Sequence, residues 1–538
     1  MKNNIYKLTL LTITSILSVI LLSDFYPVMA VHVPYELEVA KQIYFDRCAG
    51  CHGILRKGAT GPDITDKRMK EKNYNLDAIK AFIANGTPGG MPGWKGILSD
   101  NDIQEVAEFL QVEPPTPPEM SLNDIKQTWN LIVPVEQRLK KPEHNRNWQN
   151  FFGVILRDAG KVAIIDGDTK ELVSIVDTGF AVHILRSSAS GRYFYSIGRD
   201  GVTTLIDLWM KKPDRVAAIK TCHDARSVDV SKYSGPKGDF KDKLAVVGCY
   251  WPPHFIVLDG NTLEPKKIVG TRSYTYDTNE YHPEPRVASI VASHHDPEWI
   301  INIKETGQIW IVDYSDLKNL SITQIEAERF LHDGGWDATK RYFMVAANMR
   351  NKMVVVDTET KKLASIFETG NKPHPGRGAN WVDPQYGPVT ATPHLGEGVI
   401  AVWGSDPQGH PENAWKVVRK LETLGGGSLF IKTNPNSRHL WVDHPLNSDD
   451  KIRQSICVYD IDKLDDKPKC WQASDRGRVV HFDYNKDGDE VWVAVWDKNG
   501  ELVVFDDKTL KEKKRIKGDW LVTPTGHFNV HNTMNDIY

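Results

Sequence analysis

The amino-acid sequence predicts a small all-α domain followed by a larger all-β domain that is built as an eight-bladed β-propeller. Three observations support this prediction: a CxxCH motif with helical periodicity around it, a run of prolines after it, and strand patterns that recur about every fifty residues downstream. A chain of 538 residues is also too long for one ordinary domain. Its 40% hydrophobic and 25% charged residues are typical of a folded globular protein.

Residues 1–30 are interpreted as a secretory signal peptide. Lys2 and Lys7 form a basic start, and the apolar run that follows covers residues 8–22. The alternative is a membrane anchor, but this run is shorter than the roughly 20 apolar residues that span a bilayer. We therefore expect export of the protein, with no membrane span after signal cleavage.

The charge of the chain argues against one class of partner. A formal net charge of −3, without a basic run interleaved with aromatic residues, gives no signature of polyanion binding. Nucleic acid is therefore not expected as a partner.

The pentapeptide Cys48-Ala-Gly-Cys51-His52 is the most informative motif. Two thiols at this spacing reach both vinyl groups of one porphyrin, and the adjacent imidazole reaches the iron. The alternatives are a thioredoxin-like redox pair or half of a zinc site, but no second Cys or His pair follows at metal-ligand spacing. The motif therefore predicts a covalently attached c-type haem, haem c.

Residues 31–113 are predicted to form a compact helical domain around this haem. The spacing of Val39, Ile43 and Tyr44 places them on one helix face, and residues 76–84 form a second amphipathic stretch. Ser99 is predicted as the N-cap of a later helix. The apolar stripe of that helix comprises Ile103, Val106, Ala107 and Leu110.

Met91 is predicted as the second axial ligand of the haem c iron. It lies in a Gly- and Pro-rich loop between two predicted helices, forty residues after Cys51. A thioether ligand would raise the reduction potential, which suits an electron-transfer centre. Met69 is the weaker candidate because it lies in a charged helical run.

Four prolines within residues 114–118 mark the predicted domain boundary. Such a run interrupts regular structure and forms a semi-rigid spacer. We expect a Pro-rich linker over residues 114–135 and the propeller domain over residues 136–538.

Downstream of the linker, hydrophobic strand patterns repeatedly end in aspartate before a turn. Successive aspartates are 41, 52, 54, 44, 103 and 46 residues apart, and residues 400–403 supply a degenerate copy within the longest interval. The aspartates are Asp166, Asp207, Asp259, Asp313, Asp357, Asp460 and Asp506. A period of this length with several short strands per unit is typical of a β-propeller. The predicted fold class is a small all-α cytochrome c domain followed by an all-β eight-bladed β-propeller, with seven blades as the alternative.

The phase of this repeat also predicts a site. An unusual polar residue follows six of the seven aspartates after 17 to 21 residues. These residues are His183, Arg226, His332, His374, His481 and Thr525. Equivalent positions of a propeller lie at equivalent heights around its axis, so these side chains are expected to converge on one face.

Arginines share this region of each repeat. Arg186 and Arg377 both lie 20 residues after their aspartate, and Arg157 and Arg199 occupy comparable Arg-Asp dipeptides. Each one alone is most simply explained as a solvated or paired surface arginine. As a group they would attract carboxylates of a cofactor and a small anionic substrate.

The sequence leaves the state of the remaining cysteines open. Six cysteines are few for a disulfide-built protein of this size. Cys222, Cys249, Cys457 and Cys470 are therefore expected either as buried thiols or in one or two disulfides.

Several long motifs are distributed over nearly the whole mature chain. In addition to the haem-attachment segment, they are Ala181-Val-His-Ile184, Tyr250-Trp-Pro-Pro253, Phe330-Leu-His-Asp-Gly-Gly-Trp336, His374-Pro-Gly-Arg-Gly-Ala-Asn380 and Gly425-Gly-Gly-Ser-Leu-Phe430. Together they closely resemble the cytochrome cd1 nitrite reductase family. The resemblance implies a periplasmic homodimer in which a cytochrome c domain precedes a propeller that holds non-covalent haem d1. It also implies reduction of nitrite to nitric oxide, with electrons that a small periplasmic cytochrome c or cupredoxin delivers to haem c.

The resemblance assigns roles by matching motif. Cys48 and Cys51 attach haem c, and His52 and Met91 are its axial ligands. His183 becomes the proximal ligand of the haem d1 iron, and protonated His332 and His374 donate protons to nitrite. The residues expected around the macrocycle are Arg157, Arg186, Arg199, Arg226, Tyr250 and Arg377, with Phe430 and the Thr525-Gly526 turn closing the pocket.

Two departures from the family pattern affect these assignments. His481 stands where well-known members have glutamine, so it is expected to add a third proton-active group beside the cofactor. Only residues 31–35 precede the first predicted helix, so Tyr35 is a weak candidate for the distal tyrosine of some members. The alternatives are a haem d1 biosynthesis dehydrogenase paralogue and a non-catalytic haem d1 carrier or electron-transfer protein.

Overall fold

The computed structural model of the protein describes residues 37–87 and 90–538. The predicted signal peptide and Tyr35 lie outside the described residues. Within those two ranges, no helix combines the length and the apolar character that crossing a membrane requires.

The first domain is helical, as predicted. Its α-helices are Glu38–Ile43, Ala49–His52, Asp66–Glu71, Leu76–Asn85 and Asp100–Phe109. The π-helical turn Tyr44–Cys48 joins the first two and leads directly into the CxxCH motif. Buried apolar side chains from these helices, among them Tyr44, Ile83 and Val106, form one core.

Two predictions about these helices have different outcomes. The predicted cap is confirmed: the Ser99 hydroxyl accepts from the N–H of Asp102, whose carboxylate accepts in return from the N–H of Ser99 at 2.9 Å. The prediction that Val39 faces the core is wrong, because its side chain is 60% exposed. The buried face of the first helix instead passes through Ala40 and Tyr44, which are four residues apart and contact the same core.

The segment predicted as a linker is packed against the propeller. It is irregular around the prolines, and then forms the helix Leu122–Gln127 and the short strand Asn130–Leu131. That strand pairs with the outer strand of the second blade. The indole of Trp251 also donates to the carbonyl of Pro117 at 3.1 Å, so the proline run is held in place.

The second domain has eight four-stranded antiparallel blades, which confirms the eight-bladed prediction over the seven-bladed alternative. The innermost strands of blades 1 to 8 are Pro524–Asn529, Val182–Ser187, Asp224–Val230, Val287–Ala292, Leu331–Trp336, Ala379–Asp383, Ile431–Lys432 and Arg478–Tyr484. The second strands, in the same order, are Phe151–Leu156, Tyr193–Gly198, Leu244–Trp251, Glu298–Ile303, Tyr342–Ala347, Gly387–Pro393, His439–Val442 and Glu490–Trp496.

The two outer positions of each blade complete the sheets. The third strands are Lys161–Asp166, Val202–Asp207, His254–Asp259, Gln308–Asp313, Lys352–Asp357, Val399–Gly404, Ser455–Asp460 and Glu501–Asp506. The outer strands are Leu172–Asp177, Asp214–Lys220, Pro265–Gly270, Ser321–Glu326, Lys362–Glu368, Val417–Glu422, Lys469–Gln472 and Glu512–Lys517. Two short hairpins, Ser234–Gly235 with Gly238–Asp239 and Ser273–Tyr274 with Tyr281–His282, are inserted between strands, and the helices Asp450–Arg453 and Val530–Asn535 lie outside the blades.

The repeated aspartates end the third strand of seven blades, and their side chains explain why the strand ends there. The carboxylate of Asp166 accepts from the N–H of Asp168 at 2.9 Å, and that of Asp259 accepts from the N–H of Asn261 at 3.0 Å. This local bond replaces the next ladder bond and turns the chain. The second and third strands are almost wholly buried, since each blade packs between two others.

The ring is closed by strands that are distant in sequence. Pro524–Asn529 forms the innermost strand of blade 1 and pairs with Phe151–Leu156. Blade 1 therefore joins the last strand of the propeller to the first three.

Two disulfides, Cys222–Cys249 and Cys457–Cys470, account for the four cysteines that the sequence left open. The first joins residues 27 apart in the chain, and the second joins residues 13 apart. Cys48 and Cys51 are the two cysteines outside these bonds.

We expect the double substitution of Cys222 and Cys249 by serine to lower the free energy of unfolding of the propeller by about 2–4 kcal/mol, because the unfolded chain loses a cross-link. The measurement is the urea midpoint of the variant against that of the wild type, both without reductant. Since the two positions are fully buried, the matched double substitution by alanine separates loss of the bond from burial of new hydroxyl groups. An unchanged midpoint in both variants would contradict the expectation.

Candidate active site

The residues that the repeat phase predicted lie on or beside the innermost strands of the propeller. Five of them lie within the first four residues of an innermost strand, each in a different blade: His183, Arg226, His332, His481 and Thr525. His374 precedes the innermost strand Ala379–Asp383 of blade 6. The structure brings His183, Arg226, His374 and His481 to one cavity, with His332 beside His374, whereas Thr525 does not line it.

The strands carry a common irregularity at these positions. Four innermost strands each contain one residue that has no paired residue on the second strand of the blade: His183, Arg226, His481 and Thr525. In blade 5, the innermost strand also has one extra residue between Leu331 and Gly334. A β-bulge of this kind re-aims a side chain out of the regular alternation. The repeat therefore supplies the same bulge in successive blades, which turns these side chains toward the axis.

A cavity of about 200 Å³ lies where these strands meet. Its charged and aromatic lining consists of His183, Arg186, Arg226, Asp333, His374, Arg377, Phe430, Lys432, His481, Asp483, Phe528, Asp536 and Tyr538.

His332 and His374 form a pair beside this cavity. Their ring centroids are 5.1 Å apart. Asp333 lies between them, with one carboxylate oxygen 3.4 Å from Nε2 of His374 and the other 4.0 Å from Nδ1 of His332. Two imidazoles and a carboxylate from blades 5 and 6 are thus close enough to share protons.

The surroundings of the two rings differ. Nδ1 of His374 donates to the carbonyl of Leu429 at 3.0 Å, and its Nε2 faces Asp333, so both ring nitrogens face acceptors. Nδ1 of His332 lies 3.2 Å from the ammonium of Lys304. A lysine ammonium only donates, so this nitrogen of His332 must accept.

Burial lowers the pKa of His332 well below its ordinary value, and the charge of Lys304 lowers it further. His332 is therefore a neutral imidazole with its proton on Nε2. The expectation that a protonated His332 donates to nitrite stays a prediction, and the sequence did not show the buried lysine beside this ring. The geometry of His374, with two acceptors, suits the imidazolium.

His183 is also neutral. Its pKa is held well below the ordinary value by burial and then by Arg226, whose guanidinium is 3.3 Å from Nδ1. A neutral imidazole is the form that binds a metal ion. The lining of the cavity therefore includes one histidine suited to bind the iron of a macrocycle.

Among the predicted arginines, Arg186, Arg226 and Arg377 line the cavity, whereas Arg157 and Arg199 do not. The buried Nε of Arg186, which lines the cavity, has no hydrogen-bond partner among the described residues. Unpaired buried donors are costly unless a ligand satisfies them. This donor fits the carboxylates of a macrocycle, so the residues present fit haem d1.

Arg157 and Arg199 lie where the first domain meets the propeller. Arg199 forms two bonds of 2.6 Å to Asp224, and a Cβ at Gly50 would lie 2.5 Å from its Nη1. Arg157 pairs with Asp158 at 2.8 Å, and burial lowers the pKa of its guanidinium to about 10. Their place at this boundary distinguishes them from the three arginines of the cavity.

The remaining predicted contacts are on blades 1, 7 and 8. The rings of Phe430 and His481 are 4.7 Å apart, and His481 has a φ of +63° at its bulge, a conformation that is strained for a non-glycine residue. The expectation that Thr525 and Gly526 form a turn is wrong, since both lie in the strand Pro524–Asn529, where pairing with Phe151–Leu156 keeps the chain extended. Phe528 of that strand lines the cavity.

The haem c motif has the features that attachment requires. Cys48 and Cys51 carry free thiols at the two ends of one short helix. His52 is buried, and its Nδ1 bonds to the carbonyl of Pro62 at 2.9 Å, which leaves Nε2 for iron. Gly61 packs so closely that a Cβ would lie 2.7 Å from the His52 ring. The residues present therefore fit haem c.

Of the two candidate methionines, Met69 is buried in the core of the first domain, in the helix Asp66–Glu71. Met91 is half-buried in its loop, which is fixed by a bond of 3.0 Å from the N–H of Thr87 to the carbonyl of Met91. Met91 stays the predicted ligand of haem c.

The CxxCH helix is clamped onto the propeller by two buried residues of blade 4. Arg286 donates to the carbonyls of Ala49 and Gly50 at 3.1 and 3.3 Å. Glu284 accepts from the N–H groups of Ile54 and Leu55 at 2.8 and 3.0 Å. The guanidinium of Arg286 also lies 4.6 Å from the ring of Tyr250, so this clamp connects the two predicted haem sites.

Known families match both domains. The family described as Cytochrome D1 heme domain matches residues 146–533, and the family described as Cytochrome C oxidase, cbb3-type, subunit III matches residues 36–110. The Nitrite reductase of Stutzerimonas stutzeri is 50% identical over 531 residues, which are 94% of this chain and 94% of that protein. The Dihydro-heme d1 dehydrogenase of Pseudomonas aeruginosa is 25% identical over 494 residues, which are 91% of this chain and 93% of that protein.

A solved structure supports the fold. The Dihydro-heme d1 dehydrogenase in complex with DHE has a TM-score of 0.69 at 24% identity, over 92% of this chain and 100% of that chain. The chain therefore belongs to the Cytochrome D1 heme domain family. Within that family it has the organisation of a cytochrome cd1, with haem c in the first domain and haem d1 in the propeller.

Sequence reasoning missed three parts of the site. Asp333 lies within a motif that it quoted, but the bulge that turns two consecutive side chains inward is not visible in sequence. Lys304 is a charged residue directly after a buried strand, which could have indicated a function, but it lies outside the repeat position that predicted the other residues. In blade 4, Ala288 and Ser289 occupy the bulge position and line the cavity. The hairpin inserted before them lengthens the distance from Asp259, so the repeat spacing did not identify them.

Proposed function

We propose that the protein is a dissimilatory nitrite reductase that catalyses NO2⁻ + e⁻ + 2H⁺ → NO + H2O. The observation that carries this proposal is the convergence of His332, Asp333 and His374 beside a cavity lined by three arginines and His183. The 50% identity to the Nitrite reductase of Stutzerimonas stutzeri supports it. When bound, haem d1 supplies the iron that binds nitrite and transfers the electron, and haem c supplies the entry point for electrons.

The chain holds the macrocycle from several blades. His183 would bind its iron, and Arg186, Arg226 and Arg377 would bind its carboxylates. Phe430, His481 and the strand that carries Thr525 and Gly526 close one side of the pocket. Arg157 and Arg199 place positive charge at the boundary between the two domains, between the two haem sites. The ring of Tyr250 contacts the guanidinium groups of Arg199 and Arg226 there.

His332 and His374 are the catalytic residues that handle protons. His374 donates from Nε2 and is reprotonated with Asp333 as its counter-charge. His332 donates from Nε2, since its Nδ1 accepts from Lys304. Proton transfer from a positioned histidine typically contributes about 10²–10⁴-fold to a rate.

Charge in the cavity also favours the substrate. Arg186, Arg226 and Arg377 raise the local concentration of a small anion, and burial strengthens each interaction with it. An electron must then arrive from haem c. Cys48, Cys51, His52 and Met91 hold that haem.

The proposal extends to the setting of the enzyme. The predicted signal peptide and the two disulfides support a periplasmic location, since disulfides persist in oxidising compartments. We propose a homodimer that receives electrons from a small periplasmic cytochrome c or cupredoxin.

The test uses purified protein that contains both haems. Nitric oxide is measured with an electrode after nitrite and a one-electron reductant are added under anaerobic conditions. We expect one nitric oxide per electron and per nitrite. Oxidation of a dihydro-haem d1 without release of nitric oxide would favour the dehydrogenase alternative, and ready release of haem d1 to a second protein without turnover would favour the carrier.

A further inference from the structure

Lys304 is a fully buried lysine that directly follows the strand Glu298–Ile303 of blade 4. Among the described residues, no carboxylate lies within ion-pair distance of its ammonium. Its two neighbours at hydrogen-bond distance are the hydroxyl of Thr60, at 2.7 Å, and Nδ1 of His332, at 3.2 Å. Burial of a lysine without a carboxylate is costly and therefore points to a function.

The same segment of blade 4 fixes His332 at two points. The side-chain amide of Asn302 donates to the carbonyl of His332 at 3.1 Å, and Lys304 donates to the ring. The backbone and the tautomer of His332 are thus set by two residues of one neighbouring blade. The proton on Nε2 is the one that His332 can give away.

Nitrite reduction consumes two protons, and the two histidines obtain theirs differently. His374 faces two acceptors and can hold an imidazolium. His332 is neutral, so it becomes an anion on donating a proton unless another proton arrives at Nδ1. The only described group that donates to that nitrogen is Lys304.

We propose that Lys304 supplies the second proton of nitrite reduction by way of His332. The inference rests on the proposed function. In the step, the Nε2–H bond of His332 breaks as an O–H bond forms on nitrite, and a Nζ–H bond of Lys304 breaks as a Nδ1–H bond forms on His332. The products are a neutral amine, a neutral imidazole of the opposite tautomer and the protonated substrate.

The charges around Lys304 are consistent with this role. The pKa of Lys304 is lowered to about 7, mainly by burial and also by Arg286 of blade 4 and Arg226 of blade 3, while Glu305 of blade 4 opposes the shift. From the first domain, Thr60 and Cys51 face it; the Cys51 thiol is consumed when haem c is attached. The proton therefore remains on Lys304, since the pKa of His332 lies well below its ordinary value.

The position of Thr60 connects this proton supply to the first domain. Thr60 precedes Gly61, which packs on the ring of His52. Its hydroxyl accepts from the Lys304 ammonium at 2.7 Å, so Thr60 and His332 both contact this ammonium. The bond to Thr60 exists only while the first domain is docked on the propeller.

Lys304→Met and Lys304→Arg test the proposal in the enzyme that contains both haems. We expect each to lower kcat for nitrite at least tenfold, with KM changed less than threefold. The wild-type kcat should fall as the pH rises through about 7, because Lys304 then loses its proton, and this limb should be absent in both variants. Lys304→Arg keeps a positive donor but supplies no proton, so recovery of kcat by arginine would overturn the relay.

A second readout does not require turnover. The visible band of bound haem d1 without nitrite should shift with a midpoint near pH 7 in the wild type, as the nearby charge changes. Lys304→Met should lack this shift, whereas His332→Gln should keep it. A shift that persists in Lys304→Met would contradict the assignment.

Matched controls separate the relay from a loss of structure. Lys352→Met removes a lysine that is paired with Glu328 in blade 5 and should leave kcat unchanged. Thr60→Val should lower kcat two- to fivefold, while Thr65→Val, whose hydroxyl bonds to Asp63 within the first domain, should not. A wild type that releases no nitric oxide refutes the proposed function, whereas an active wild type with an equally active Lys304→Met refutes the relay alone.

Discussion

His374→Ala is expected to lower kcat for nitrite by about 10²-fold or more, because the variant loses the histidine whose ring nitrogens face the carbonyl of Leu429 and the carboxylate of Asp333. The alanine removes the proton donor and leaves Asp333 without its partner. Both haem spectra should be retained, because His183, Arg186 and Arg226, which would hold the macrocycle, are on other strands. The measurement is the steady-state rate of nitric oxide release, beside the absorption spectrum of each preparation.

The side chain of residue 374 can be tested more finely with glutamine. His374→Gln keeps a hydrogen-bond donor at similar reach but cannot transfer a proton, so we expect KM near the wild-type value and kcat as low as in His374→Ala. His410→Ala is the control, since His410 is paired with Asp406 at an exposed position far from the cavity lining. An active His374→Ala variant would remove this residue from the chemistry.

Arg286→Met is expected to lower the free energy of unfolding by about 3–5 kcal/mol, because it leaves the carboxylate of Glu305 buried without its partner. Both side chains are 1% exposed, and their closest atoms are 2.8 Å apart. The substitution also removes the bonds from Arg286 to the CxxCH helix, so electron transfer from haem c to haem d1 should slow. The measurements are chemical denaturation and stopped-flow reoxidation of haem c.

Two comparisons isolate the cause of that loss. Arg438→Met breaks an exposed pair with Asp460 and should leave the denaturation midpoint nearly unchanged. The double variant Arg286→Met with Glu305→Leu removes both charges, so it should recover stability but not the electron-transfer rate. Recovery of both would place the role of Arg286 in folding alone.

Much of the fold could be predicted because its signals are local. Six of the seven repeated aspartates end a strand through a bond to a backbone N–H two residues away, and Asp506 does so through the N–H of Thr509, three residues away. These local bonds need no tertiary information. Ser99 caps its helix for the same reason. Val39 was assigned to the wrong face, since the choice between neighbouring faces of a short helix depends on what packs against it.

The candidate site could be predicted as far as its parts repeat. His183, Arg226, His481 and Thr525 recur at similar distances because each occupies the same bulge. Lys304 and the charge state of His332 could not be predicted, since their pairing depends on how blade 4 lies beside blade 5. The separation of Arg157 and Arg199 from the cavity depends on where the first domain docks, which no local pattern encodes.

The strand that closes the ring imposes an order of assembly. Pro524–Asn529 must reach Phe151–Leu156 before blade 1 exists, and the bulge at Thr525 comes with it. The CxxCH segment lies early in the chain and does not depend on that strand, so it can receive its porphyrin first. The cavity for the second macrocycle is complete only when this late strand is in place, so we expect haem d1 to be loaded after the propeller has closed.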